Sequence, residues 1–451
     1  MPKKLIKKIL LTGKENYWTV QALEDAKLAL DLNFNEDYLK VRAGRTGLCV
    51  ACKGSKFLCG KRRCPIIIKA LSLLKLASKL NGLKLEGTSP PSIFVGRMGY
   101  PRVSIGPLTP PIKGDTGLFD TPELWLGKPI DEIVGFRLSL VRGKLNVKVT
   151  DAEANGRYLE AIQELAMARS PVDVDLTFTR KPRGLLLLDD DVQPMGPAAP
   201  LNSLSVDNPK PDQRIEKVYS DTDLKASDAI LKLYENGVPV SRVQRAFSAG
   251  LMGIRGKRRF VPTRWSITAV DSLLSLRMME KIRRYPLIND YAVYESNYLD
   301  NRFMVILMPN AWSYECIEAW YPSTLWNPDP NHLAIFGDFE NYRGRTTYAA
   351  IGGCYYAARL AVTEFLEKER RQASALILRE VHPGYLMPVG VWQVRENVRN
   401  ALKRPPLKFN DLKEALNYIS TKLAIPLTTW IKCSSLLRTA LYQRRLTEHL
   451  I

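Results

Sequence analysis

Apolar positions recur three and four residues apart from Pro65 to about Leu80, and Pro65 stands where the first turn of a helix tolerates proline, so the spacing predicts a helix there. The next stretch, Ser89 to Pro129, is dense in proline and glycine and holds only short extended pieces, Ser92 to Val95 and Val103 to Ile105, which reads as a loop-rich surface. Alternation from Phe136 to Val149, interrupted at Arg142 and Gly143, predicts a β-hairpin. Helix Ala152 to Arg169 and strand Val172 to Phe178 follow. Residues 181 to 213 carry no sustained period and give the expected domain boundary. Helices return at Asp223 to Glu235 and Val240 to Ala249. The runs Tyr291 to Tyr294, Phe303 to Met308 and Tyr314 to Trp320 read as consecutive strands. The last hundred residues are mostly helical: Tyr355 to Arg371, Trp392 to Leu402, Leu412 to Lys422 and Leu427 to Leu450. Strands and helices cluster more than they alternate, so the expected class is α+β. No internal repeat appears at solenoid period.

Composition adds a size and a charge. With 451 residues and 45% hydrophobic content the chain can bury a large core without disulfides. The run Ile66 to Leu80 is broken by Lys69, Lys75 and Lys79 and falls short of the ~20 apolar residues a membrane span needs. Met1 to Leu11 interleaves lysines with Leu and Ile but has no small-residue cleavage site. The expectation is an intracellular, cytoplasmic and nucleoid-associated protein. A formal charge of +20 points to a polyanionic partner, nucleic acid by default, although a lysine-rich heat-adapted surface has the same composition. Residues 1 to 64 hold 14 basic and 6 acidic side chains, so the excess is concentrated there.

That arm contains Cys49, Cys52, Cys59 and Cys64, spaced C-x2-C-x6-C-x4-C. Two residues between thiolates let both sulfurs face one ion, and the second pair can complete a tetrahedron, so the spacing predicts structural Zn²⁺ with no open coordination position. An iron-sulfur cluster or redox pairing are the alternatives. The other cysteines, Cys316, Cys354 and Cys433, stand singly. Arg45, Lys53, Lys56, Lys61, Arg62 and Arg63 surround the quartet, with no acidic residue from Gly44 to Cys64. Such a fixed knuckle suits phosphates, or the charge offsets the −2 of the zinc-thiolate center. The expected layout is a basic arm, four-cysteine zinc module and following helix over 1–80, docked on a large mixed α/β body. The body divides into a Gly/Pro-rich α+β region with linker over 81–213 and a mixed α+β domain over 214–426, and a C-terminal helix over 427–451 completes a helical C-terminal region.

Candidate chemistry is sparse. Three histidines, His332, His382 and His449, are too dispersed for a multi-histidine metal center, and no P-loop is present. Asp338 and Glu340 share a face if extended, as paired carboxylates around Mg²⁺ do in nucleases. Asp271 and Glu364 are the candidates to complete that cluster, against the alternative of arginine partners such as Arg343 and Arg345. Gly96 to Arg102 offers glycines for close approach, Arg97 and Arg102 for phosphate, and Tyr100 as a stacking face. Arg264-Trp265 adds a second cation and aromatic pair, with a buried tryptophan as the plain reading. Arg255 to Arg259 follows two helices joined at Asn236 to Pro239, superficially a helix-turn-helix in which Arg242 and Arg245 would read bases.

Several of these segments together resemble one family. Leu48-Cys49-Val50-Ala51-Cys52-Lys53-Gly54, Leu58-Cys59-Gly60 and Cys64-Pro65 begin the match. Phe94-Val95-Gly96-Arg97, Gly99-Tyr100-Pro101, Asp120-Thr121-Pro122, Trp265 to Asp271, Gly337-Asp338-Phe339-Glu340 and Tyr355 to Leu360 continue it. In these the chain resembles the archaeal Nre family of DNA-repair proteins. The resemblance implies a role in surviving DNA damage, an N-terminal zinc finger, and recruitment by the sliding clamp PCNA; it implies no chemical reaction. Clamp binding in that family looks like Q-x-x-h-x-x-a-a, matched here by Gln443, Leu446, His449 and Leu450, with His and Leu where two aromatics are usual. The sequence therefore predicts a clamp-recruited DNA-binding repair protein. A repair enzyme is one alternative, either a metal-dependent nuclease at Asp338 and Glu340 or an enzyme acting on a nucleotide near Arg97. An RNA-binding or ribosome-associated zinc protein is the other.

Overall fold

The computed structural model describes residues 39–42, 58, 63–80, 82–187, 194–324, 326–327 and 329–442, giving only the backbone path at 39–42 and 184–187. Cys49, Cys52 and Cys59, the basic residues Arg45, Lys53, Lys56, Lys61 and Arg62, and the C-terminal Gln443, Leu446, His449 and Leu450 lie outside the described residues. The chain forms two compact units, 1–270 with 386–389, and 271–385 with 390–451. The division falls inside a helix, rather than in the proline-rich stretch 181–213.

In unit 1 the elements are β1 (Leu39–Arg42), α1 (Pro65–Ala77), β2 (Lys84–Ser89), β3 (Ile93–Val95), β4 (Arg102–Thr109), α2 (Ile130–Ser139), β5 (Val141–Lys148), α3 (Arg157–Met167), β6 (Val172–Phe178), β7 (Gly184–Leu187) and β8 (Ala198–Val206). Helices α4 (Gln213–Ser220), α5 (Ala226–Glu235), α6 (Val240–Ser248) and α7 (Thr263–Ile282) follow, the last running into unit 2. The large sheet has the order β2-β6-β8-β5-β4-β3, while β1 and β7 pair separately in parallel. Its apolar face buries Leu85, Ile93, Val95, Val103, Ile105, Val147, Val174, Leu176 and Leu204, one from every second position of each strand.

Two sequence expectations are corrected here. Phe136 to Val149 is not a hairpin, because Phe136 lies in the last turn of helix α2 and a single strand then passes straight through Arg142 and Gly143. Gly143 is needed in that strand for space, since a Cβ there would sit 2.8 Å from the Leu201 side chain. The stretch 181–213 is not a linker either. Its β8 lies between β5, which it pairs in parallel, and β6, which it pairs antiparallel, and so belongs to the center of the sheet.

Unit 2 contains β9 (Tyr291–Tyr298), β10 (Asn301–Met308), β11 (Ser313–Trp320), β12 (Ala334–Glu340), α8 (Gly353–Glu369), β13 (Ser374–Val381), α9 (Trp392–Leu402), β14 (Leu407–Phe409), α10 (Leu412–Lys422), α11 (Leu427–Cys433) and α12 (Ser435–Tyr442). The sheet order is β12-β11-β13-β10-β9-β14, with β11 and β13 parallel and the rest antiparallel. One face is apolar: Val293, Met304, Ile306, Ile317, Leu376 and Leu378 pack with Leu416, Ile419, Trp430 and Leu437 of α10 to α12. The helix expected over Leu427 to Leu450 is broken at Ser434, whose hydroxyl donates to Glu315 of β11 (2.6 Å). Glu315 then accepts the N–H groups of Ser435 (2.8 Å) and Leu436 (2.9 Å), capping α12. The other face meets α8 and α9 through charged side chains. Among the described residues no helix is long and apolar enough to cross a membrane.

Candidate nucleic-acid interface

Tyr100 and Trp265, far apart in sequence, stand together with ring centroids 5.1 Å apart at 53°. The local backbone explains how. Beyond β3 the chain turns at Gly99, whose φ of +82° suits glycine, and Arg102 N–H donates to Gly99 O (2.9 Å) as β4 begins. Val95 N–H donates to Thr263 Oγ1 (2.9 Å), tying the start of α7 to the end of β3. Phe260 N–H donates to Val149 O (2.9 Å), which holds the approach to that helix against the end of β5. Tyr100 is 51% exposed and Trp265 45%, with Met98 beside Gly99 at 83%. Single exposed aromatics are ordinary, but two in ring contact form an apolar patch of the kind that marks a partner's site. The plain reading of Trp265 as a core residue is thus overturned. Arg97, Arg102 and Arg264 are all exposed, and none pairs with a carboxylate among the described residues.

The four carboxylates of the nuclease expectation do not converge. Asp338 Oδ2 accepts from Arg345 Nη2 (2.8 Å) and Ala350 N–H (2.7 Å). Desolvation would raise its carboxyl, but Arg345 and the two backbone N–H groups outweigh it and hold the group below the usual aspartate value. Glu340 pairs with Arg359 (2.7 Å), both side chains essentially fully buried. Asp271 accepts Arg395 Nη1 at both oxygens (2.8 and 2.9 Å), and Glu364 holds Arg399 in a fork (2.6 and 2.7 Å). Each carboxylate serves a guanidinium, and no group of three or more metal-ligating side chains forms among the described residues. Arg379 completes this layer, bonded to Glu318 (2.6 Å) and Asn301 (2.9 and 2.6 Å).

Arg242 and Arg245 are not base readers. Arg242 donates to Pro91 O and to Ala168 O (2.7 Å), and Arg245 Nε pairs with buried Asp120 (2.7 Å). In the basic run after α6, Arg255, Lys257 and Arg259 are exposed while Arg258 is buried against the Tyr219 ring. Arg63, the one cation of the cysteine-bearing arm whose side chain is described, pairs with Asp131 (2.6 Å).

Sequence reasoning missed part of the basic surface. Arg142, Lys144, Asn146 and Lys148 lie on the solvent face of β5, where Arg102 stands directly opposite Lys148 and Ser104 opposite Asn146. The signal was available in Val-Arg-Gly-Lys-Leu-Asn-Val-Lys, whose polar residues fall at every second position.

The fold and this surface define a mixed α/β protein of two compact units, one exposing an aromatic pair beside guanidiniums that meet no carboxylate among the described residues. The chain belongs to the archaeal Nre family. The profile described as Archaeal Nre, N-terminal, matches residues 58–327, and Archaeal Nre, C-terminal, matches residues 340–449. It is 40% identical over 401 residues to the DNA repair protein NreB of Archaeoglobus fulgidus, covering 89% of this chain and 99% of the relative. It is 39% identical to the DNA repair protein NreA of the same organism, over 83% of this chain and 93% of that protein. With the NreA of Haloferax volcanii, also named a DNA repair protein, it shares 36% identity over 77% of this chain and 85% of that protein. No solved structure matches.

Proposed function

We propose that this chain is a DNA-repair protein that binds DNA through unit 1, stacking a base on Tyr100 and Trp265 while Arg97, Arg102 and Arg264 contact phosphates. The observation that carries this reading is the meeting of two separate cation-aromatic segments in one exposed cluster. The names of the relatives support the repair context. Cys49, Cys52, Cys59 and Cys64 hold structural Zn²⁺ in this reading, on the chemistry of four closely spaced thiols. Gln443, Leu446, His449 and Leu450 dock on PCNA, the aliphatic residues filling its groove. The nuclease reading is not carried forward, because Asp338, Glu340, Asp271 and Glu364 are each held by an arginine.

The test is fluorescence anisotropy with single-stranded DNA, duplex DNA and RNA of one sequence. Y100A and W265A should each weaken DNA binding by about 1–3 kcal/mol, the value of a base-aromatic stack. Parent-like affinity in both variants removes the platform, and tighter binding to RNA than to DNA replaces the reading with an RNA-binding one.

A further inference from the structure

The solvent face of the unit 1 sheet is divided by charge. On β4 and β5 the outward positions include the exposed Arg102, Asn146 and Lys148 and the half-buried Ser104, Lys144 and Arg142, with Leu108 opposite Arg142, and Phe94 of β3 lies in the same face, its ring 5.2 Å from the Arg142 guanidinium carbon. Across β8 the outward positions of β6 and β2 include Asp173, Asp175 and Glu86, with Glu86 directly opposite Asp175 and within 3.8 Å of Lys113, and one cation, Lys84, opposite Thr177. Among the described residues Arg142 donates to carbonyl and sulfur acceptors, Gly196 O (3.3 and 3.2 Å) and Met195 Sδ (4.0 Å). Neither it nor Lys144, Lys148 or Arg102 pairs with a carboxylate among the described residues. Asp151 accepts from the Lys148 backbone N–H (2.8 Å).

Arg102 directly opposite Lys148 is a like-charge cross-strand pair, which costs stability unless an anion lies over it. Burial, with Arg137 adding its charge, pushes the Arg142 guanidinium down to about 10, and burial followed by Arg142 and Arg180 lowers the Lys144 ammonium. Burial is the larger cause in both, and the smaller share is repulsion from neighbouring guanidiniums. Alternate strand residues repeat about every 7 Å, so Arg142, Lys144 and Lys148 form an evenly set ladder with one position, Asn146, uncharged. The ladder ends at Arg102, two residues from Tyr100 and hence at the aromatic platform.

The geometry points to this ladder as the track for the phosphate backbone of single-stranded DNA, leading one unpaired base onto Tyr100 and Trp265. A duplex covers its base faces by stacking and cannot offer one to the aromatic pair, whereas a single strand can follow a nearly flat face and turn a base outward. The three carboxylates on β6 and β2 make that half less favourable for phosphates than β3, β4 and β5. This inference rests on the DNA-binding reading above and adds the strand state and the path.

The test uses the full chain, fluorescein-labelled oligothymidylate and a salt series. Each phosphate contact on a single strand contributes about 0.7 to the slope of log K against log salt, so R142Q/K144Q/K148Q should lower that slope by about 2. Because Arg142 also bonds Gly196 O, K144Q/K148Q is measured beside it and should lower the slope by about 1.4. Unlabelled duplex should compete at least about tenfold less well than unlabelled single strand. A parent slope in both ladder variants, with Y100A and W265A still impaired, overturns the track and leaves DNA binding standing. Equal competition by duplex overturns the single-strand assignment. Parent affinity in the ladder variants and in Y100A and W265A together overturns the DNA-binding reading itself.

Discussion

A side chain's role in this protein depends on what answers its charge or covers its ring. Tyr100 and Trp265 have about half their surface open, so their replacement by alanine should cost little folding stability, within about 0.5 kcal/mol, against a larger loss in DNA affinity. Thermal melts and anisotropy on the same variants separate the two effects. Asp338 behaves in the opposite way. Its carboxyl is held below the usual aspartate value near 3.8, so the ionised form is favoured in the folded state. Its contribution is fully present above the unfolded value and is lost as pH falls through the lower native one. Urea unfolding of parent and D338N across about pH 5 to 2 should show the parent's acid-side loss flattened in the variant. An unchanged acid limb would show that Arg345 does not stabilise the ionised carboxylate.

At the scale of elements, removing one member of a buried ion pair leaves the other charged and unanswered. R359M should therefore destabilise the protein by about 3–5 kcal/mol, while the double variant R359M/E340L should recover most of that loss. Chemical denaturation of the two variants checks this. Elements with a clean period were legible in the sequence: strand Val172–Phe178 and helices Trp392–Leu402 and Leu412–Lys422 lie where the apolar spacing puts them. Others were not. Every residue of Ser374–Val381 is buried, so this central strand carries no alternation to distinguish it from a helical core segment. β8 carries Pro200 and Asn202 mid-strand, and its parallel and antiparallel neighbours make it a strand. The candidate site was half visible. Tyr100 with Arg97 and Trp265 with Arg264 each stood out, but their meeting depends on Val95 bonding Thr263, a contact no local pattern reveals. The carboxylates misled for a similar reason: Arg345, weighed as a partner, does hold Asp338, but Arg359 and Arg395 stand 19 and 124 residues from Glu340 and Asp271, where no local pattern links them.

Across the whole molecule, a charge of +20 exceeds what one basic ladder accounts for, and residues 1 to 64 carry a large share of it. If the four cysteines of that arm bind zinc, native mass spectrometry should give one Zn²⁺ per chain, and C49S/C52S should abolish it while weakening DNA binding through loss of the fixed basic knuckle. A metal-free parent removes zinc from the proposal. Unit 2 has a different character, with Arg359, Arg379 and Arg395 all buried and matched to acids: Glu340, Glu318, and Asp271 with Glu396. Apolar interiors tolerate drift, since a leucine and a methionine can trade places at small cost. An interior of matched opposites cannot change one member at a time. Over generations its sequence is free to move only in coupled steps, and the elements that carry these arginines should be among the slowest parts of the chain to diverge.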